Sequence, residues 1–421
     1  MTEKLLHYIW QFGYYNSSAL STANGEALQI LFAGTYNLHQ GPDFLDAKIK
    51  IGNVILAGSI ELHIKTSDWK KHQHTNDENY KNVILHVVWE HDEAAHHLPV
   101  LSLQTRVSSL LLDKYQTFMQ SAAFIPCGAM ISTIKFITWQ SWKERILAER
   151  LIRKATVVEK NLQQNNYHWE ETFWWMLARN FGIKVNADAF EAIARSISIN
   201  LLAKHKNQLL QLEALLLGQA GLLAENFTDD YPRMLQKEYA FLKKKYQLQP
   251  IHQPILFLRM RPGNFPTVRL AQLAALIHQS AHLFSKIKET TTVADLKTML
   301  AVTANDYWHY HYKFDVAGTF KLKQVGSDMI DNIIINTVVP VLFAFGHYQA
   351  NEVYKEKTLV WLEKMEAETN TITKGFKKVG VQLKNSYDSQ ALIELKNNYC
   401  DQRKCLQCAV GNTLLKNDEK K

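Results

Sequence analysis

Only four cysteines occur in 421 residues, so they are expected as reduced thiols or metal ligands rather than disulfides. No run approaches the roughly 20 apolar residues that cross a bilayer, and no membrane span is expected. The N-terminus, MTEKLLHYIWQFGYY, carries an acid early and lacks the apolar stretch of a secretory signal, which makes a cytoplasmic protein the expectation. No fixed period recurs among the apolar segments, so a solenoid is not supported.

What is present fits a globular protein with a sizeable core: 47% of residues are hydrophobic and 21% charged. The length leads us to expect two or three domains. The formal charge of +8 permits an acidic partner such as nucleic acid but does not require one.

Residues 1–12 read as a short helix. Ala27–Gly34, Ala47–Ile51, Val54–Lys65 and Asn82–Glu90 read as strands, rich in Val, Ile and Leu and divided by turn residues. Gly52-Asn53 suits a tight hairpin. Pro99–Val107 reads as a further strand and Ser108–Met119 as a helix. From Trp139 onward apolar residues recur at helical spacing, with helices expected over Trp139–Gln163, Trp169–Phe181, Leu201–Leu217, Thr267–Phe284, Ser327–Phe345 and Ser389–Tyr399, among others. The expected class is α+β, with a β-rich domain over 1–130 and a helical region over 131–421.

The stretch from Gly41 to His86 concentrates ionisable groups on or beside these strands: Asp43, Asp46, Glu61, His63, Lys65, Asp68, His72, His74, Asp77 and His86. Charges on half-buried strands are costly unless they are paired or bind something. Side chains alternate along a strand, so Glu61, His63 and Lys65 share one face. Pro42-Asp43 followed by Glu61-Leu62-His63 resembles the signature of PD-(D/E)XK nucleases, with histidine in the lysine's place. That resemblance implies that Asp43 and Glu61 hold Mg²⁺ or Mn²⁺ and that His63 or Lys65 assists the attacking water. It also implies an acid from the first helical segment, for which Glu26 is the nearest candidate.

A second pattern lies beside the first. His72, His74 and Glu78 have the His-x-His-x₃-Glu spacing of cupin metal sites, without the framing glycines. With His86 they are suited to holding zinc or iron. A plainer reading makes Asp68 a turn cap, Trp69 and Tyr80 core, and His72 and His74 solvated loop residues.

Cys400, Cys405 and Cys408 form C-x₄-C-x₂-C, the spacing of the first three ligands in plant-type [2Fe–2S] ferredoxins. Cys127 is the fourth and last cysteine. Some PD-(D/E)XK nucleases carry an iron–sulfur staple built from one remote and three C-terminal cysteines, and this chain resembles that division. A structural Zn²⁺ is the competing occupant.

Arg259, Arg261 and Arg269 cluster near Pro262 and Pro266, where a loop meets a helix and where guanidinium groups suit phosphate. The alternative pairs them with carboxylates such as Glu213 or Glu225. Over its full length the chain resembles a bacterial family without an assigned function, through GPDF, GSIELHIKTSDW, HQHTND, NVILHVV, EALLLGQAG, RMRPGNFPTVR, SQALIELKNNYC and CLQCAVG. That resemblance implies that the β-rich and helical parts belong together. Three functions stay open: a metal-dependent nuclease-like enzyme, a non-catalytic nucleic-acid or protein-binding module with a degenerate site, and a zinc or iron hydrolase or oxygenase using His72, His74 and His86.

Overall fold

A computed structural model describes residues 1–93, 98–258, 260–280 and 282–416, apart from the side chain of Asn76. The class is α+β. Two compact units form. The first holds Met1–Trp142, Lys378–Val381 and the described part of Leu395–Lys421; the second holds Lys143–Lys377 and Gln382–Glu394. The C-terminal segment, expected within the helical region, therefore belongs with the β-rich unit.

The first unit opens with helix α1 (Glu3–Phe12), capped by the Thr2 hydroxyl and ended by Gly13 at φ 66°. Strands β1 (Leu28–Phe32), β2 (Thr35–Tyr36), β3 (Phe44–Ile51), β4 (Val54–Lys65), β5 (Val83–Glu90) and β6 (Val100–Ser102) follow. They build one sheet in the order β1-β3-β4-β5-β6, with β2 beside β3. β1, β3 and β4 are antiparallel neighbours, and Gly52 at φ 55° turns the β3–β4 hairpin. β4, β5 and β6 run parallel.

A parallel step needs a crossover. Between β4 and β5 it is the segment 66–82, carrying the short helix α2 (Asp68–Lys71) and two single 3₁₀ turns. The expected strand over Pro99–Val107 is only Val100–Ser102, and the helix after it is α3 (Ser109–Gln120).

Phe44, Ala47, Ile49, Ile60, Leu62, Leu85, Val87 and Leu101 are sealed from solvent in this unit. Each fully buried aliphatic side chain contributes about 1.5–3 kcal/mol. The C-terminal half of β4 is buried on both faces, so Glu61 and His63, pointing opposite to Ile60 and Leu62, are also removed from water.

The second unit is helical. Trp169–Phe181 forms as expected. The helix expected over Leu201–Leu217 is two, Ile199–Lys204 and Leu209–Gln219, and His205 between them bonds the Gln211 amide oxygen (2.5 Å) and the Tyr246 hydroxyl (2.8 Å). Thr267–Phe284 likewise divides into Pro266–Gln279 and Leu283–Glu289. One correction concerns hydropathy. The helical stretch Ser327–Tyr348 reaches 22 residues at mean hydropathy 1.7, long and apolar enough to span a bilayer, although 78% of that window is buried inside the protein as a core helix would be.

Candidate metal centre

Three segments deliver the site. β4 presents Glu61 and His63, and β5 presents His86 directly beside Glu61 in the parallel register. The crossover lies over that face and brings Trp69, His72, His74 and Tyr80 to it. The loop before β3 brings Asp43. Gly41 at φ 105° allows the turn into Pro42, and the Asn37 amide closes the loop by donating to the Pro42 carbonyl at 2.9 Å.

Asp43 and Glu61 clasp each other through the backbone. The Asp43 N–H donates to Glu61 Oε2 and the Leu62 N–H donates to Asp43 Oδ2, both at 3.0 Å. A bulge at Leu45–Asp46, with Asp46 at φ 58°, shifts the β3 register just after this point. α1 adds two groups one turn apart. His7 Nε2 is 3.2 Å from Asp43 Oδ2, and the charge of Glu3 acts on Glu61.

Around the other Glu61 oxygen stand the imidazoles. Glu61 Oε1 is 3.6 Å from His63 Nε2 and 3.4 Å from His74 Nε2, and His63 Nε2 is 3.1 Å from His72 Nδ1. One nitrogen from each of His63, His72 and His74 lies within 4.8 Å of the others. His74 Nε2 is buried and hydrogen-bonds to no described residue. At metal–ligand lengths of about 2.0–2.1 Å, neighbouring ligands of a tetrahedral ion stand about 3.3–3.4 Å apart. The three separations of 3.1, 3.4 and 3.6 Å bracket that edge, so the three imidazoles, with Glu61 beside His63 and His74, fit a transition ion.

The electrostatics of the cluster are dominated by burial. Burial, then the nearby Asp43 and Glu3, push the Glu61 carboxyl up to about 9. Burial, then His86, His72 and His74, push His63 down to about 3. His74 is lowered by burial and by His72. These shifts favour a neutral Glu61 beside neutral His63 and His74 rings, and a divalent ion would invert the preference of Glu61. The walls are aromatic: His74 stacks on Tyr80 at 3.8 Å and Trp69 meets His74 and His86 edge-on or tilted. His72 is exposed and faces an open depression of about 740 Å³, also lined by Lys70, Gln73, Thr75, Asp77 and Glu78.

The other expected residues have different places. Lys65 sits 3.5 Å from Glu90 Oε2 and is 43% exposed. Asp68 accepts from the Lys65 N–H and Lys71 Nζ, and Asp77 caps the turn at Asn79, so both are local caps. Glu78, the third member of the cupin-like pattern, pairs with Lys81. Glu26 is exposed in the turn after Thr22, and Glu3 is the helical acid that acts on Glu61.

In the second unit Arg269 is buried and donates to Gln272 (3.0 Å) and Asn264 (2.6 Å) instead of a carboxylate, while Arg261 is exposed. Arg259 lies outside the described residues. Glu213 accepts from Tyr231 and Trp308, not from an arginine. Glu3 and His7 are site residues that sequence reasoning does not single out. Their spacing of four on an amphipathic helix is the available signal.

The chain belongs to the family described as "Protein of unknown function (DUF2851)", which it matches over residues 3–371. No curated protein and no solved structure matches it.

Proposed function

We propose that the protein is a metal-dependent phosphodiester hydrolase whose ion is held by Glu61, His63, His72 and His74. The observation that carries this reading is the gathering of one nitrogen each from His63, His72 and His74 within 4.8 Å of one another, beside Glu61 Oε1, which stands 3.6 Å from His63 Nε2 and 3.4 Å from His74 Nε2. Nitrogen-rich sets of this kind favour zinc, iron, copper or nickel over magnesium. A bound ion would supply Lewis acidity and lower the pKa of a water.

The residues have separable tasks. His63 Nδ1 meets His86 Nε2 at 2.9 Å, a bond that orients the His63 ring with Nε2 toward the site. Tyr80 and Trp69 hold His74 in place. His63 is occupied on both nitrogens and Lys65 is engaged by Glu90, so the proton-accepting role passes to Asp43. His7, 3.2 Å away, relays the proton outward. The phosphodiester substrate follows from the PD-(D/E)XK resemblance, supported by a helix, three antiparallel strands, a crossover and a parallel strand in that order.

A second reading has one observation in its favour. Glu3, Asp43 and Glu61 gather three carboxylates at one place, a set that a hard cation such as Mg²⁺ would use. The deciding experiment strips the full chain with EDTA, reloads it with Zn²⁺, Mn²⁺, Fe²⁺ or Mg²⁺, and assays a small phosphodiester and single- and double-stranded DNA and RNA. Hydrolysis restored by a transition ion and lost in Glu61→Gln and His74→Ala supports the proposal. Substrates left intact under every metal would sink it, and metal-independent binding unchanged by Glu61→Ala would favour a non-catalytic module.

A further inference from the structure

All four cysteines are free thiols within the first unit, on two segments distant in sequence: the loop at Cys127 and the C-terminal stretch carrying Cys400, Cys405 and Cys408. The segments are tied by contacts that do not involve sulfur. The Arg403 guanidinium donates to the Ser121 carbonyl, Lys396 Nζ lies 5.1 Å from the centre of the Phe124 ring, and Trp142 meets Tyr399 edge-on at 5.3 Å. These contacts bring the two cysteine-bearing segments together, with Cys127 acted on electrostatically by Cys405 and Cys408, and Cys400 by all three others.

The backbone around them is shaped for this. A π-helical turn, Lys396–Cys400, ends on Cys400, and such turns recur at functional sites. Arg403 adopts φ 53°, a conformation rare for a residue with a side chain. Cys405 opens a 3₁₀ turn and Cys408 immediately precedes the helix Ala409–Lys416. A Cβ at Gly411 would stand 2.4 Å from the Cys405 carbonyl oxygen, so only glycine lets that turn seat on that helix. The N–H groups of Val410 and Gly411 are directed at the Cys408 sulfur. Hydrogen bonds of that kind stabilise thiolates that bind metal.

We infer that Cys127, Cys400, Cys405 and Cys408 ligate an iron–sulfur cluster that pins the C-terminal segment to the loop at Cys127. The C-x₄-C-x₂-C spacing of Cys400, Cys405 and Cys408 is that of cluster ligands and favours a cluster over a lone zinc ion. The thiols lose their protons on ligation, and the cluster's ferric iron is supplied as such, so no electron is taken from the protein. The inference stands apart from the histidine centre and shares no residue with it.

The test is analysis of the full chain purified without oxygen, or reconstituted with ferric and ferrous iron and sulfide. The expected result is brown protein with iron and acid-labile sulfide in equal amounts, about two or four of each per chain. Both should be lost in Cys405→Ser and in Cys127→Ser and retained in Glu61→Gln. Zinc near one per chain without sulfide would overturn the inference, as would wild-type protein that stays colourless after reconstitution. Because the wild-type measurement decides by itself, a cysteine variant that fails to fold does not weaken the test.

Discussion

His63 on β4 and His86 on β5 stand side by side in parallel strands with Nδ1 and Nε2 2.9 Å apart. Two neutral imidazoles can bond only if one donates and the other accepts. The pair therefore fixes a tautomer, and it sets which His63 nitrogen looks into the cluster. His86→Ala keeps all four donors but releases that orientation. Metal affinity should fall about 10–100-fold, as for other outer partners of ligating histidines. Competition against a chelator measures it, and unchanged affinity would remove His86 from the site.

Glu61 and Asp43 should separate by role. Glu61→Gln and His74→Ala are expected to release the ion. Asp43→Asn should retain it while turnover drops about 10²-fold or more, the usual cost of a lost general base. Metal content and turnover on the same preparations test this. If Asp43→Asn loses metal as fully as Glu61→Gln, the paired-carboxylate reading takes over.

The metal-free protein should have a distinctive pH profile. Glu61 is raised from 4.5 to about 9, so it adds stability below 4.5 that is lost as pH rises through 9. His63 is lowered from 6.5 to about 3, so its contribution is present above 6.5 and lost as pH falls through 3. Between 4.5 and 6.5 the two trends oppose and cancel. From these groups, urea midpoints of EDTA-treated protein should be flat in that window and fall on either side. Metal binding at neutral pH should release about one proton, from Glu61, readable by calorimetry in buffers of different ionisation enthalpy.

Gly58 gives a prediction about the strand itself. A Cβ there would stand 2.4 Å from the Asn82 carbonyl oxygen and 2.6 Å from Ile84 Cγ2, where the β4–β5 register shifts. Gly58→Ala should destabilise the fold by about 1–3 kcal/mol. Lys65→Ala should cost less than about 1 kcal/mol, because its pair with Glu90 is exposed and screened. Denaturant titration of both variants checks the contrast, and equal losses would contradict it.

Period-two alternation is a local property of the chain, so residue spacing is enough to place Glu61 and His63 on one face of β4. Helical periodicity likewise gives Trp169–Phe181 and most of the helical half. Breaks made by side-chain bonds between helices, as at His205, have no local signature and do not show in the periodicity. The same limit applies to the crossover. His72 and His74 read as loop residues or as partners of Glu78, since spacing alone does not say which strand a loop folds over.

The sequence alone determined which residue types were present, the α+β division and the strand that carries the acid. Only the tertiary structure decided that the crossover turns His74 onto Glu61 and His72 onto His63, that α1 supplies Glu3 and His7, and that Lys65 turns to Glu90 instead. The reason is physical. A strand's own geometry fixes where its side chains point, but a charged group's partner is set by whatever distant segment can be packed against it to repay the loss of water.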